Sequence, residues 1–96
     1  MKIKRIQENK NCDANILRKI IIFEEDIAKE DIFLLVRNNQ LIFNEKLPIP
    51  HFKIIAQNFI MRGSIGTNRI TIDFNSIEEQ KIEILLEEII KQISNS

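Results

Sequence analysis

The stretch Arg69-Ile-Thr-Ile-Asp-Phe-Asn-Ser-Ile-Glu-Glu-Gln-Lys-Ile-Glu-Ile-Leu-Leu-Glu-Glu-Ile-Ile-Lys-Gln-Ile93 combines two periodicities. Apolar and polar residues alternate over Arg69–Phe74, which predicts a strand with one buried face. Ser76-Ile-Glu-Glu79 has the form of a capping box, in which Ser and Glu side chains bind the first free amides of a helix. The apolar residues that follow share one helical face: Ile82, Leu85, Leu86, Ile89, Ile90 and Ile93. A strand that leads into an amphipathic helix predicts an α+β protein.

Upstream of this ending, the sequence predicts a β-hairpin. The apolar runs Ile32–Val36 and Gln40–Phe43 flank Asn38-Asn39. Asn tolerates the positive φ angles that a two-residue turn requires, so these two residues are suited to connect antiparallel strands.

Between the hairpin and the last strand, apolar spacing predicts a helix over residues 50–62. Pro50 suits the first position of a helix because its missing N–H costs nothing there. Gly63 stands where a left-handed residue ends many helices, and Gly66 eases the turn into the last strand. The apolar residues of this segment recur three and four positions apart: Phe52, Ile55, Ala56, Phe59 and Ile60.

The N-terminal part of the chain allows two interpretations. Alternation over Met1–Arg5 predicts a short first strand, and the polar run Glu8–Asp13 predicts a loop. Residues 14–28 fit one helical face with Asp13 as the N-cap, which is the preferred interpretation. The alternative is a buried strand over Ile16–Phe23. The chain has 22 Ile and one Val, so its Ile content reflects a compositional bias and does not by itself indicate β-structure.

Composition bounds the class of protein. A chain of 96 residues forms a single domain, 1–96, with one core. The net charge is zero, which gives no general attraction to nucleic acid or to a membrane, although residues 1–19 carry six basic and two acidic side chains. Cys12 is the only cysteine, and no apolar run approaches the length of a membrane span. These features predict a cytoplasmic protein.

The residues that could carry chemistry form no catalytic or metal-binding pattern. His51 is the only histidine, and it follows Pro50 at the predicted helix start. Cys12 belongs to no Cys/His spacing typical of a metal site, and Gly63-Ser-Ile-Gly66 is too short for a phosphate loop. We therefore expect no metal and no cofactor.

The predicted elements follow the order strand, helix, strand, strand, helix, strand, helix. This βαββαβα order resembles the histidine-containing phosphocarrier protein (HPr) family of the bacterial sugar phosphotransferase system. Asn38-Asn39 is similar to the family's Asn-Gly hairpin turn, and Ile60-Met-Arg-Gly-Ser-Ile-Gly66 to its passage from the second helix to the last strand. The resemblance implies an open-faced sandwich, with a four-stranded antiparallel sheet covered on one face by three helices.

The resemblance also implies a function, which the active-centre residues modify. The family's phosphate-accepting His, phosphate-binding Arg and helix-starting Pro correspond here to Asp13, Asn15 and Ile16. This implies a relative that docks or regulates and does not transfer phosphate, with no enzymatic activity beyond at most phosphoryl carrying. The implied partners are enzyme I or other phosphotransferase components, bound by a monomer. The implied docking face comprises Asp13, Asn15, Pro50, His51 and Phe52.

Two other classes stay open. With Ile16–Phe23 as a strand and residues 50–62 mostly extended, the chain would have many strands and a C-terminal helix, similar to a bacterial pleckstrin-homology-like binding module. Ile77 and Ile84 lie off the apolar stripe of the last helix, so they could serve an immunity-type or dimerisation module instead.

Overall fold

A computed structural model describes residues 1–10, 16–36, 39–46, 48–75 and 79–94. Its main element is a six-stranded, wholly antiparallel sheet with the strand order β1-β2-β6-β5-β4-β3. The elements in chain order are β1 (Ile3–Lys10), β2 (Ile16–Phe23), α1 (Lys29–Val36), β3 (Gln40–Asn44), β4 (His51–Ile55), β5 (Phe59–Ser64), β6 (Arg69–Asn75) and α2 (Glu79–Ser94).

The core lies between one face of this sheet and the two helices. The strands contribute alternate residues, such as Ile70, Ile72 and Phe74 of β6. The helices contribute Ile32 and Leu35 of α1, together with the stripe of α2. The buried members of that stripe are Ile82, Leu86, Ile89 and Ile93.

This architecture contradicts the predicted fold class. The sheet has six strands and not four, and the described residues contain two helices and not three. The strand Gln40–Phe43, the strand Arg69–Phe74 and the last helix are confirmed. The predicted capping box begins at Ser76, and residues 76–78 lie outside the described part of the chain.

Residues 16–23 form a strand, so the preferred helical interpretation was wrong. β2 is an inner strand that lies between β1 and β6 in the sheet. Ile21 faces the core, and Ile22 is buried although it faces the other side of the sheet. A central strand of this kind has a continuous apolar run, which periodicity alone does not separate from a helix.

Residues 32–36 are helical, which corrects the first strand of the predicted hairpin. The Asp31 carboxylate accepts a hydrogen bond from the Ala28 amide at 2.8 Å, a contact that satisfies a free N–H at the helix start. Glu30 and Asp31 also place negative charge at the positive end of α1. Asn38 lies outside the described residues; α1 ends at Val36 and β3 begins at Gln40.

Residues 50–62 form no helix but the hairpin β4–β5. Ile55 pairs with Ile60, and the Ala56 amide donates to the Phe59 carbonyl at 3.0 Å across the turn. Burial alternates along both strands, with Phe52 and Ile54 of β4 facing the core. In each of these strands alternate residues face the core, and a two-residue turn joins the strands. The combined apolar positions therefore happen to recur three and four residues apart, as they would in a helix.

The two glycines have different roles. Gly66 has a φ of 86° in the turn between β5 and β6, as expected for a left-handed turn residue. Gly63 ends no helix and lies inside β5, opposite Phe52 and Ile70. A Cβ atom there would lie 2.5 Å from Cζ of Phe52, so the aromatic ring fills the space of the missing side chain.

Candidate functional site

One face of the sheet carries no helix, and we call it the open face. Its residues follow from the strand register, because cross-strand partners point to the same side of a sheet. Ile22 belongs to it, and although buried it lies outside the core cluster that contains the helices. The open face comprises Arg5, Gln7, Arg18, Ile20, Ile22, Gln40, Ile42, Asn44, His51, Lys53, Ile55, Ile60, Arg62, Ser64, Arg69, Thr71 and Asp73.

The open face is basic although the chain as a whole is neutral. Among its residues, Asp73 is the only carboxylate, against five permanent cations. These cations come from five strands: Arg5, Arg18, Lys53, Arg62 and Arg69. The helical side balances them with exposed carboxylates, including Glu83, Glu87 and Glu88 of α2. The fold therefore separates charges that are mixed along the sequence.

Asp73 joins two of these cations at the centre of the face. Arg18 donates through Nε to Oδ1 at 2.7 Å and through Nη2 to Oδ2 at 3.2 Å. Arg62 donates through Nη1 to Oδ2 at 2.7 Å. The Asp73 side chain is only 10% exposed, whereas Arg18 and Arg62 are 37% and 48% exposed. A guanidinium has five N–H donors, so Asp73 engages only part of each arginine.

The pKa of Asp73 reflects this setting. Burial raises the pKa of the carboxyl, but hydrogen bonds and charge attraction from Arg18, and then from Arg62, outweigh burial. The net result is a pKa below the ordinary value of 3.8. The same contact raises the pKa of Arg18. Asp73 is therefore ionised at neutral pH and holds the two guanidiniums in fixed positions.

A concave pocket of about 570 Å³ opens on this face over β3 to β6. Its volume lies within the range of about 300–1,000 Å³ that is usual for ligand sites. Lys53, Arg62 and Arg69 provide its charge, and His51 and Ser64 share a hydrogen bond between Nδ1 and Oγ on its wall. Its remaining polar side chains are Asn44, Thr67 and Thr71. The arrangement presents hydrogen-bond donors to a negatively charged ligand.

Three of the five residues of the predicted docking face lie in the described part of the chain. Asp13 and Asn15 lie outside the described residues. Pro50 precedes a strand, and its carbonyl accepts a hydrogen bond from the Ile65 amide at 3.0 Å. His51 and Phe52 both line the pocket, but the Phe52 side chain is 2% exposed and belongs to the core cluster. Successive residues of a strand face opposite sides, so His51 and Phe52 belong to different surfaces.

Sequence reasoning missed Lys53, Arg62 and Asp73 as site residues. Each of them alternates with core residues along its strand, which was visible for Asp73 in the predicted last strand. For Lys53 and Arg62 the same alternation was not recognised, because residues 50–62 were predicted to form a helix. In a helix, alternate residues do not share one face. Within the described ranges, no three His, Cys, Asp or Glu side chains stand together as a possible metal site. Neither described helix has the length and apolar character needed to cross a membrane.

Comparisons with known proteins leave the family of this chain open. No protein-family model, curated protein or solved structure matches it. The docking function implied by the phosphocarrier resemblance therefore stays a prediction, and the element order that supported it is not the observed one. The alternative with many strands and a C-terminal helix agrees with the six strands and α2, although it lacked α1, and membership of a pleckstrin-homology-like family stays a prediction.

Proposed function

We propose that this chain is a small cytoplasmic interaction module that binds an acidic segment of a partner protein on the open face of its sheet. The observation that carries the proposal is a helix-free face that bears five cations. Its one described carboxylate, Asp73, is already bound by two of these cations, Arg18 and Arg62. Complementary charge accelerates association and selects partners of the opposite sign.

Apolar side chains on the same face favour a polypeptide partner. Ile20, Ile55 and Ile60 lie between the charged residues and are partly exposed. They can contact aliphatic side chains of a bound segment, while Lys53 and Arg69 bind its carboxylates. Nucleic-acid-binding sheets, in contrast, stack bases on aromatic rings, and the described open face carries no Phe.

The proposal predicts that binding depends on where the positive charge lies. The probe is a fluorescein-labelled peptide in which Glu and Asp alternate with Leu, followed by fluorescence anisotropy. We expect the wild-type chain to bind it, and the affinity to fall as salt rises from about 50 to about 500 mM, because exposed charges are screened. The double variant Lys53→Glu, Arg69→Glu should bind at least about tenfold more weakly, a loss of about 1.4 kcal/mol.

The matched control is Lys81→Glu, Lys91→Glu. It makes the same change in net charge at two exposed positions of α2, on the other side of the molecule. The control should retain affinity within about twofold. Equal losses in both double variants would show that only net charge matters and would overturn the proposal. If a single-stranded oligonucleotide of equal charge binds more tightly than the peptide, the ligand of the open face is a nucleic acid and the proposal is wrong.

A further inference from the structure

The two edges of the sheet differ in how well they are protected against pairing with another chain. β1 forms one edge, and its sequence Ile3-Lys-Arg-Ile-Gln-Glu-Asn-Lys10 has four charged residues. β3 forms the other edge and pairs, among the described strands, with β4 alone. Its sequence Gln40-Leu-Ile-Phe-Asn44 contains no charge and no proline, the features that usually block edge pairing. The edge at β3 is therefore open to a further strand.

Exposed apolar side chains surround this edge on both sides of the sheet. Ile42 is 47% exposed on the open face, and Leu41 is exposed on the helical side. A small apolar pocket on the helical side brings Leu41 beside Phe33 of α1, which is 72% exposed. Leu34 of α1 is also exposed. Exposed apolar residues that cluster in this way mark interaction surfaces more often than single ones do.

The sequence of β3 is complementary to itself when reversed. In an antiparallel pair centred on Ile42, Ile42 lies opposite its own copy and Leu41 opposite Phe43. Gln40 then lies opposite Asn44, so the two amide side chains can bond to each other. Apolar cross-strand pairs of this kind stabilise a sheet. We propose that β3 pairs with β3 of a second copy, joining two sheets of six strands into one antiparallel sheet.

The charges next to the strand are compatible with this pairing. Continued by one residue at each end, the register places Glu45 opposite the neutral Asn39, so it brings no like charges together. Within one chain, Lys29 Nζ lies 3.0 Å from Glu45 Oε1 and 5.9 Å from the centre of the Phe43 ring. An interface of one short strand and the side of α1 is small, so we expect dissociation in the micromolar range, on the order of 1–100 μM.

The pairing predicts a two-fold dimer, where the sequence alone led us to expect a monomer. Sedimentation velocity from about 5 to about 500 μM should show the wild type shifting from monomer toward dimer. Ile42→Lys places a charge opposite an identical charge and should remain monomeric throughout. The matched control Ile84→Lys makes the same substitution at a 58% exposed position of α2 and should dimerise like the wild type.

A second measurement separates loss of the dimer from loss of the fold. Far-UV circular dichroism and thermal unfolding should be nearly unchanged in Ile42→Lys, because residue 42 is exposed in the monomer. Amide hydrogen exchange in β3 should slow as the wild-type concentration rises, while exchange in β1 should not. A wild type that stays monomeric up to about 500 μM overturns the proposal. So does a dimer that survives Ile42→Lys, or one that Ile84→Lys abolishes.

Discussion

Asp73 has two opposing effects at the scale of single residues. It orders Arg18 and Arg62 through three hydrogen bonds, and it also cancels part of their charge on the open face. A carboxylate of this kind stabilises the fold while it weakens the attraction of the face for an anion. Substitution of Asp73 should therefore change stability and binding in opposite directions.

Asp73→Asn should lower the free energy of unfolding at neutral pH by about 1–2 kcal/mol, because both arginines lose a charged acceptor and solvent already screens them in part. The folded-state pKa of Asp73 lies below its ordinary value of 3.8. The stabilisation is therefore complete above that pH and is lost as the pH falls through the folded-state value. Urea unfolding at several pH values should show the two proteins converge in acid.

The same substitution removes one negative charge from the open face. The acidic peptide should consequently bind Asp73→Asn more tightly than wild type, measured where both proteins are folded. Weaker binding would mean that Asp73 is needed to position the arginines for the ligand.

At the scale of elements, the packing of Phe52 across the β4–β5 hairpin depends on Gly63. The Phe52 ring occupies the space above this glycine, with Ile70 of β6 on its other side. The β4–β5 hairpin can therefore bury the whole Phe52 ring against the sheet. Its sequence signal was ambiguous, because a glycine after an apolar run also ends helices.

Gly63→Ala should destabilise the protein by about 1–3 kcal/mol, because the new methyl group collides with the buried ring. Chemical denaturation measures the loss. Phe52→Leu provides the internal control, since it shortens the side chain that causes the collision. The double variant should be more stable than the sum of the two single losses predicts, by about 0.5–3 kcal/mol. Strict additivity would contradict the proposed contact.

The sequence predicted some elements and not others, for identifiable physical reasons. Arg69–Phe74 and α2 each have one buried face, and their periods are unambiguous. Ile16–Phe23 contains the continuous apolar run Ile20–Phe23, which places apolar side chains on both faces of the sheet and hides the period of two. At α1 the side-chain acceptor of the helix start, Asp31, was visible, but the apolar run after it was read as a strand. The open face became recognisable only once β4 and β5 were placed.

At the scale of the whole molecule, the fold distributes charge and secondary structure unevenly. The open face carries five cations and one carboxylate, whereas the two helices carry exposed carboxylates at Glu30, Glu83, Glu87 and Glu88. α1 and α2 contain 8 and 16 residues, or 24 of the 96 in the chain. This helical fraction differs from that of the three-helix order first expected from the sequence.

Far-UV circular dichroism should therefore report about a quarter of the chain as helix. The three-helix order would give about half. A value near half would contradict the six-stranded sheet and restore the phosphocarrier-like order. The measurement needs no variant, and it should precede the binding and sedimentation experiments.

The pairing of β2 with β6 also determines when the chain can complete its fold during synthesis. The Arg18–Asp73 contact spans 55 positions, so the ribosome makes β2 long before its partner strand exists. The hairpin β1–β2 alone is marginal in water, whereas β3 to β6 pair with near neighbours in sequence. We expect the nascent chain to form the later strands first and to dock its beginning last. Until then, the apolar run of β2 remains available to chaperones.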